Sequence, residues 1–156
     1  MSGNIIVESV PTEDQPYVDR TRSYIQDTAV KNDLEGIEES TDLEIYYALD
    51  DTLGELSYEF GPHDMVFNSF SEVPLRLLQT GAMLNILVSK GLLSARNTLT
   101  YTDQGGVTIQ DQDQYGRYTV FYNMVINRYR NAAQSWKRSK NINGAYGGVH
   151  SEYLNL

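Results

Sequence analysis

Five apolar residues, Ile45, Leu49, Leu53, Leu56 and Phe60, follow one another at intervals of four, four, three and four. An α-helix places such a series on a single face, and a face that is uniformly apolar is one that packs on a core. Thr41 and Glu44 open the segment with the S/T-x-x-E pattern of a capping box. There the hydroxyl and the carboxylate each satisfy a backbone N–H that the first helical turn leaves without a partner. Gly61 and Pro62 supply the stop. The opposite face is acidic, with Asp42, Glu44, Asp50, Asp51, Glu55 and Glu59, and no base occurs between Asn32 and Leu75.

Two further helices follow from the same reasoning. One begins near Glu72 with Pro74 in its first turn, where the missing N–H of proline costs nothing. Leu75, Leu77, Leu78, Ala82, Met83, Leu84, Ile86, Leu87 and Val88 cover most of its circumference, which predicts burial on several sides. Gly91, after Lys90, is the expected C-cap. The last helix is expected to start near Asp111 or Asp113. Its apolar series is Tyr118, Phe121, Val125, Tyr129, Ala132 and Trp136, and it runs to Ser139 over ~40 Å. Its charges are all positive: Arg117, Arg128, Arg130, Lys137, Arg138 and Lys140. Between these helices, Leu99–Tyr101 and Val107–Ile109 alternate around a linker containing Gly105 and Gly106, which predicts a β-hairpin within 98–110. An isolated hairpin is marginal in water, so this one needs a surface to pack on.

Residues 1–40 carry nine acids and three bases, with Pro11 and Pro16 and few large apolar side chains. They read as an extended acidic arm in which Asn4–Val7 can form a lone strand and Tyr17–Val30 a short helix. The body is expected at 41–140. Residues 141–156 are rich in Gly and Tyr without any period, and read as a second extended arm. The fold class expected is therefore mainly α: a small helical bundle with a β-hairpin insertion, a long C-terminal helix and two arms.

Composition removes many functions. Twelve Lys and Arg stand against 21 Asp and Glu, a formal net charge of −9. A sequence-independent nucleic-acid binder needs the opposite balance to displace counterions from phosphate. The absence of cysteine and the presence of only two histidines, His63 and His150, exclude thiolate zinc sites, cysteine nucleophiles and His-rich metal centres. The apolar run Leu75–Leu93 is interrupted by Arg76, Gln79, Asn85 and Lys90 and is no membrane span. Met1–Pro11 lacks the basic start of a signal peptide. These readings describe a soluble acidic protein made inside a cell.

The few candidate chemical motifs have simpler explanations. Asp111 to Gly116 begins like a Ca²⁺ loop, but Tyr122 stands where a bidentate Glu is required, and a helix N-cap accounts for the same carboxylates. His63 beside Asp64 has no nucleophile in its context. Gly105-Gly106 and Gly147-Gly148 open no phosphate-binding helix. No catalytic residue, metal ligand or cofactor is expected, and the chain does not read as an enzyme. The basic last helix is better used in pairing with the acidic helix, within a subunit or between copies, than on nucleic acid. On this reading Asp50, Asp51, Glu55, Arg128, Arg130 and Lys137 form a subunit interface. Twelve tyrosines are the most unusual count. Tyr146 and Tyr153 lie where no local core can receive them, so a pocket on another chain is expected to do so.

Taken together, Glu44-Ile-Tyr-Tyr-Ala-Leu-Asp-Asp-Thr-Leu-Gly-Glu-Leu56, Gly91-Leu-Leu-Ser-Ala-Arg-Asn97 and Asn141-Ile-Asn-Gly-Ala-Tyr-Gly-Gly-Val-His-Ser-Glu-Tyr153 resemble the head-to-tail adaptor, or neck connector, proteins of tailed bacteriophages. The resemblance spans roughly Thr41 to Tyr153 and rests on general pattern, without a catalytic motif. It implies a virion protein that forms a homo-oligomeric ring, of twelve subunits, between the capsid portal and the tail. Its C-terminal arm would dock on the portal protein through Tyr146, Val149, Tyr153 and Leu154. The hairpin would face a neighbour, the tail or a second neck protein. Genome DNA would pass through the channel without being bound by sequence, and acids on the wall would repel it slightly. The alternatives are a tail-completion or terminator protein, and a small acidic phage protein that binds a host target.

Overall fold

The computed structural model describes residues 9–28, 39–60, 65–97, 100–102, 108–110 and 114–145. Four α-helices carry them: α1 (Gln15–Ile25), α2 (Asp42–Tyr58), α3 (Leu75–Asn97) and α4 (Gln114–Ala145). Two three-residue strands, β1 (Thr100–Thr102) and β2 (Thr108–Gln110), pair antiparallel with Tyr101 opposite Ile109. The protein is mainly α. The linker 103–107 lies outside the described residues.

The start of α2 is built as its sequence dictates. The Thr41 hydroxyl accepts from the Glu44 N–H at 3.2 Å, and the Thr41 N–H donates to the Glu44 carboxylate at 2.7 Å. All five residues of the apolar series are buried, Ile45, Leu49 and Leu56 completely. Two small polar residues interleave with them. The Thr52 and Ser57 hydroxyls donate back to the carbonyls of Ala48 and Leu53, so burial leaves neither donor unmet. Ser57 then accepts from the Phe67 N–H at 3.0 Å, which pins the returning segment along α2. Phe67, Phe70 and Val73 from that segment enter the core, and a 3₁₀ turn at Phe70–Glu72 leads into α3.

Helix α3 is the shared wall of the bundle, touching α1, α2 and α4. That placement is why its apolar residues surround it. It does not end at Gly91, contrary to the sequence expectation, but continues to Asn97. Gly91 is buried beside Tyr122 of α4, and the packing of the two helices outweighs the local cost of a mid-helix glycine, about 1 kcal/mol.

Residues 9–28 depart from the arm expected over 1–40. Helix α1 packs on α2 and α3 and contributes Val18, fully buried, to the core. The sequence shows few large apolar residues here because α1 is seated largely by polar contacts. The Arg22 guanidinium reaches Asp42 at 2.7 Å and lies 3.7 Å from Asp27. Asp27 in turn accepts from the backbone N–H groups of Glu39 and Ser40. Burial pushes the Asp27 carboxyl up, but these donors and the Lys90 charge prevail and hold it below the usual carboxylate range. The Gln79 amide adds a bond to the Arg20 carbonyl at 3.1 Å. The expected strand at Asn4–Val7 lies outside the described residues.

Helix α4 extends past Ser139 to Ala145, so Asn141–Ala145 belong to it and not to an arm. Its 32 residues span ~48 Å. Its buried face is also turned from the predicted one. Tyr129, Ala133 and Lys137 are buried, with Tyr122, Val125, Ile126 and Trp136 packed partly against the core. Phe121 and Ala132 are exposed.

At Gly81, α3 lies directly against both of its larger neighbours. A Cβ there would fall on the Thr52 side chain of α2 and within 2.6 Å of the Tyr129 hydroxyl oxygen of α4. Thr52 is β-branched and bonded to its own helix, so it has little freedom to give way. Gly81→Ala is therefore expected to destabilise the fold by about 1–3 kcal/mol, read as a lower midpoint in denaturant unfolding. An unchanged midpoint would mean that α3 is not held this close to both neighbours.

Candidate interaction surfaces

Two helices carry the charge segregation that the sequence announces. On α2, Asp50 and Asp51 are exposed and Glu55 is half-buried; on α4, Arg128, Arg130 and Arg138 are exposed. Among the described residues no ion pair joins these arginines to the acids of α2; Arg22 pairs with Asp27 and Asp42, and Lys90 with Glu39. The Arg130 charge does reach Glu55 through space and eases its ionisation. Both faces are thus largely open to another molecule.

Lys137 does not belong to them. It is completely buried, and its ammonium donates to the carbonyls of Phe60 at 2.5 Å and Ser57 at 3.4 Å. These carbonyls end the α2 segment, where the backbone has oxygens without intrahelical partners and a negative dipole end. The methylene stem packs as an apolar residue while the charge caps the neighbouring helix. The assignment of Lys137 to a subunit interface is accordingly corrected. The same residue explains the turned face of α4, because a pattern search counts lysine as surface.

Beside this joint, Glu55 sits among Asn85, Tyr129, Glu59, Asp51 and Arg130. Burial is the largest influence on its carboxyl, and the charges of Glu59 and Asp51 add to it, so the carboxyl is held above its usual range. The Asn85 amide, which also donates to Thr52 at 3.2 Å, opposes this without reversing it. The Tyr129 phenol is buried, its oxygen has no hydrogen bond of good geometry among the described residues although Glu55 is close, and its ring packs edge-on against Phe60 at 5.7 Å. Burial and the nearby Glu55 and Glu59 push its ionisation far above the ordinary range, so it stays protonated. Neither the buried phenol nor the half-buried carboxyl is positioned as an acid–base pair on an open site.

A third surface was not legible in the sequence. Glu13, Asp14 and Tyr17 of the α1 region, Tyr46 and Asp50 of α2, and Asn68 to Ser71 line a cleft of about 360 Å³. Phe70 forms its aromatic floor, 5.5 Å from Tyr17 and 5.9 Å from Tyr46 between ring centroids. Asp14 occupies the N-cap position of α1 yet makes no capping bond. Its carboxyl is pushed up by burial first, then by the charges of Glu13 and Asp50. The cleft draws on three separate segments, and the sequence reading had assigned one of them to an arm; the Asp14–Pro16 helix start was the signal available.

An apolar groove of about 290 Å³ lies between α3 and α4, lined by Leu87, Val88, Leu92 and Tyr122. Met124, Val120 and Leu92 beside it are more than half exposed. Tyr146, Val149, Tyr153 and Leu154, and also His63, His150, Asp111 and Asp113, lie outside the described residues. Among the described residues there is no cluster of three or more His, Cys, Asp or Glu able to hold a metal ion, and no helix long and apolar enough to cross a membrane. The chain matches no family model, no curated protein and no solved structure.

Two outcomes test the joint between α2 and α4. Lys137→Met, which keeps the stem, is expected to cost about 1–3 kcal/mol of stability, and Lys137→Ala more, since it also opens a cavity; chemical denaturation reads both. For Glu55 the sign follows from its raised carboxyl. The unfolded chain ionises first as pH rises from the ordinary Glu value, so the folded state loses stability across that window. Glu55→Gln removes the loss. The variant should melt higher than the parent at pH 7 and converge with it near pH 4, as measured by thermal unfolding at several pH values.

Proposed function

We propose that this chain is a structural subunit of a virion, a head-to-tail adaptor that forms a ring between the capsid portal and the tail of a bacteriophage. The observation that carries the proposal is the pair of oppositely charged faces, on α2 and α4, which form no ion pair with each other among the described residues. Complementary faces on one molecule set register and partner choice when copies associate. The resemblance of the body and C-terminal segments to neck connectors supplies the rest. On this reading the ring has twelve subunits, and Asp50, Asp51, Glu55, Arg128 and Arg130 lie at or near the subunit contacts. A hairpin over 98–110 faces a neighbour or the next ring, supported by the β1–β2 pairing. Residues 146–156 dock on the portal through Tyr146, Val149, Tyr153 and Leu154. The subunit performs no catalysis; DNA passes through the ring and is not read by it.

Light scattering of the full chain, alone and mixed with the portal of its own particle, tests this reading. A defined ring that contains the protein and binds the portal is the expected result. A monomer indifferent to the portal overturns it and points to a host-target binder. A ring that joins only the tail points to a terminator. Removing residues 146–156 should leave the helical circular dichroism of the body intact and abolish portal binding. Tyr146→Ala and Tyr153→Ala should each weaken binding by about 2 kcal/mol, roughly 30-fold, as aromatic anchors do.

A further inference from the structure

The cleft between α1 and α2 combines two features that favour one kind of guest. Three carboxylates, Glu13, Asp14 and Asp50, line it, and no base among the described residues forms an ion pair with any of them. Tyr17 and Tyr46, with an edge of the buried Phe70, share a mostly polar lining. Aromatic faces carry negative potential, and a planar guanidinium stacks on them while donating to carboxylates beside them. A cleft of about 360 Å³ has room for such a side chain.

The molecule carries a matching ridge. Phe121, Met124, Arg128, Asn131, Ser135 and Arg138 succeed one another on α4 at intervals of three, four, three, four and three, and every one is exposed. This spacing is that of a seam along which a helix meets a partner. Arg128 stands near its middle, one turn after Met124, which is 72% exposed. Neither Arg128 nor Arg138 has an ion pair among the described residues.

We infer that the α4 ridge of one copy docks on the α1–α2 cleft of a second copy, with Arg128 entering among the Glu13, Asp14 and Asp50 carboxylates beside the Tyr17 and Tyr46 rings. Cleft and ridge are different surfaces of the same chain, so the contact is heterologous. Each copy offers one of each, and association runs head to tail until it closes or continues as a filament. A two-fold dimer does not arise from this contact. The inference rests on the reading of the chain as a ring subunit and names the surfaces that join the subunits.

Two full-length variants test it. Asp50→Lys disables the cleft and Arg128→Ala the ridge; both positions are exposed, and circular dichroism checks that both variants keep the parent's helix content. Sedimentation is run on the parent chain alone and with the portal, and on the variants in whichever condition assembles the parent. Each variant alone is expected to fall to the monomer, an at least tenfold loss of association. An equimolar mixture is expected to form dimers and nothing larger, because one intact cleft meets one intact ridge and the remaining surfaces are disabled. Variants that assemble like the parent, or a mixture that stays monomeric, overturn the pairing of these surfaces and leave the ring reading standing. A parent chain that remains monomeric in both conditions overturns both.

Discussion

The close approach of three helices across Gly81 governs the rest of the bundle. With no side chain there, α3 comes into contact with Thr52 of α2 and the Tyr129 hydroxyl of α4 at one point. That contact brings α4 near the end of α2, so that Lys137 can reach the carbonyls of Ser57 and Phe60 and Tyr129 can pack on Phe60. It also places Glu55 half out of solvent, close to the like charges of Glu59 and Asp51. A glycine, a buried cation and a half-buried acid are therefore parts of one joint. Each has an obvious local cost, and each is tolerated because the others fix the geometry around it.

Polar contacts seat the fourth element. Helix α1 has little apolar surface, yet Arg22, Asp27 and Asp42 bind its C-terminal end to the start of α2. The Asp42 carboxyl is held below its usual range by hydrogen bonds from Arg22 and Gln15, which outweigh the effect of burial. Both of these donors lie on α1, so a carboxylate that the sequence assigns to the acidic face of α2 also anchors the preceding helix.

Much of this was legible from local pattern. The capping box at Thr41 and the five-residue apolar series of α2 are realised atom for atom, because both depend on spacing along one helix. The all-round apolarity of α3 anticipated its contacts with three helices but overstated its burial, since Val88, Leu92 and Leu93 stay exposed. What escaped was whatever required a second element. Gly91 is a stop signal in isolation, but it becomes a packing residue beside Tyr122. Lys137 is a surface residue until a helix terminus is placed over it. Residues 13–17 resemble solvated chain until Tyr46 and Phe70 are brought against them. The sites of this protein lie between elements, and for that reason periodicity finds the helices and misses the cleft.

The length of α4 gives the Lys137 joint a mechanical meaning. From Lys137 back to Gln114 the helix runs 23 residues, ~34 Å. If it is held at a buried pivot near one end, a tilt of about 5° there displaces the far end by roughly 3 Å. Tyr129 and Ala133, buried beside it, and Tyr122, Val125 and Ile126, packed partly against the core, resist such a tilt, so α4 presents its exposed surface as a stiff rod whose direction is set at the α2 joint.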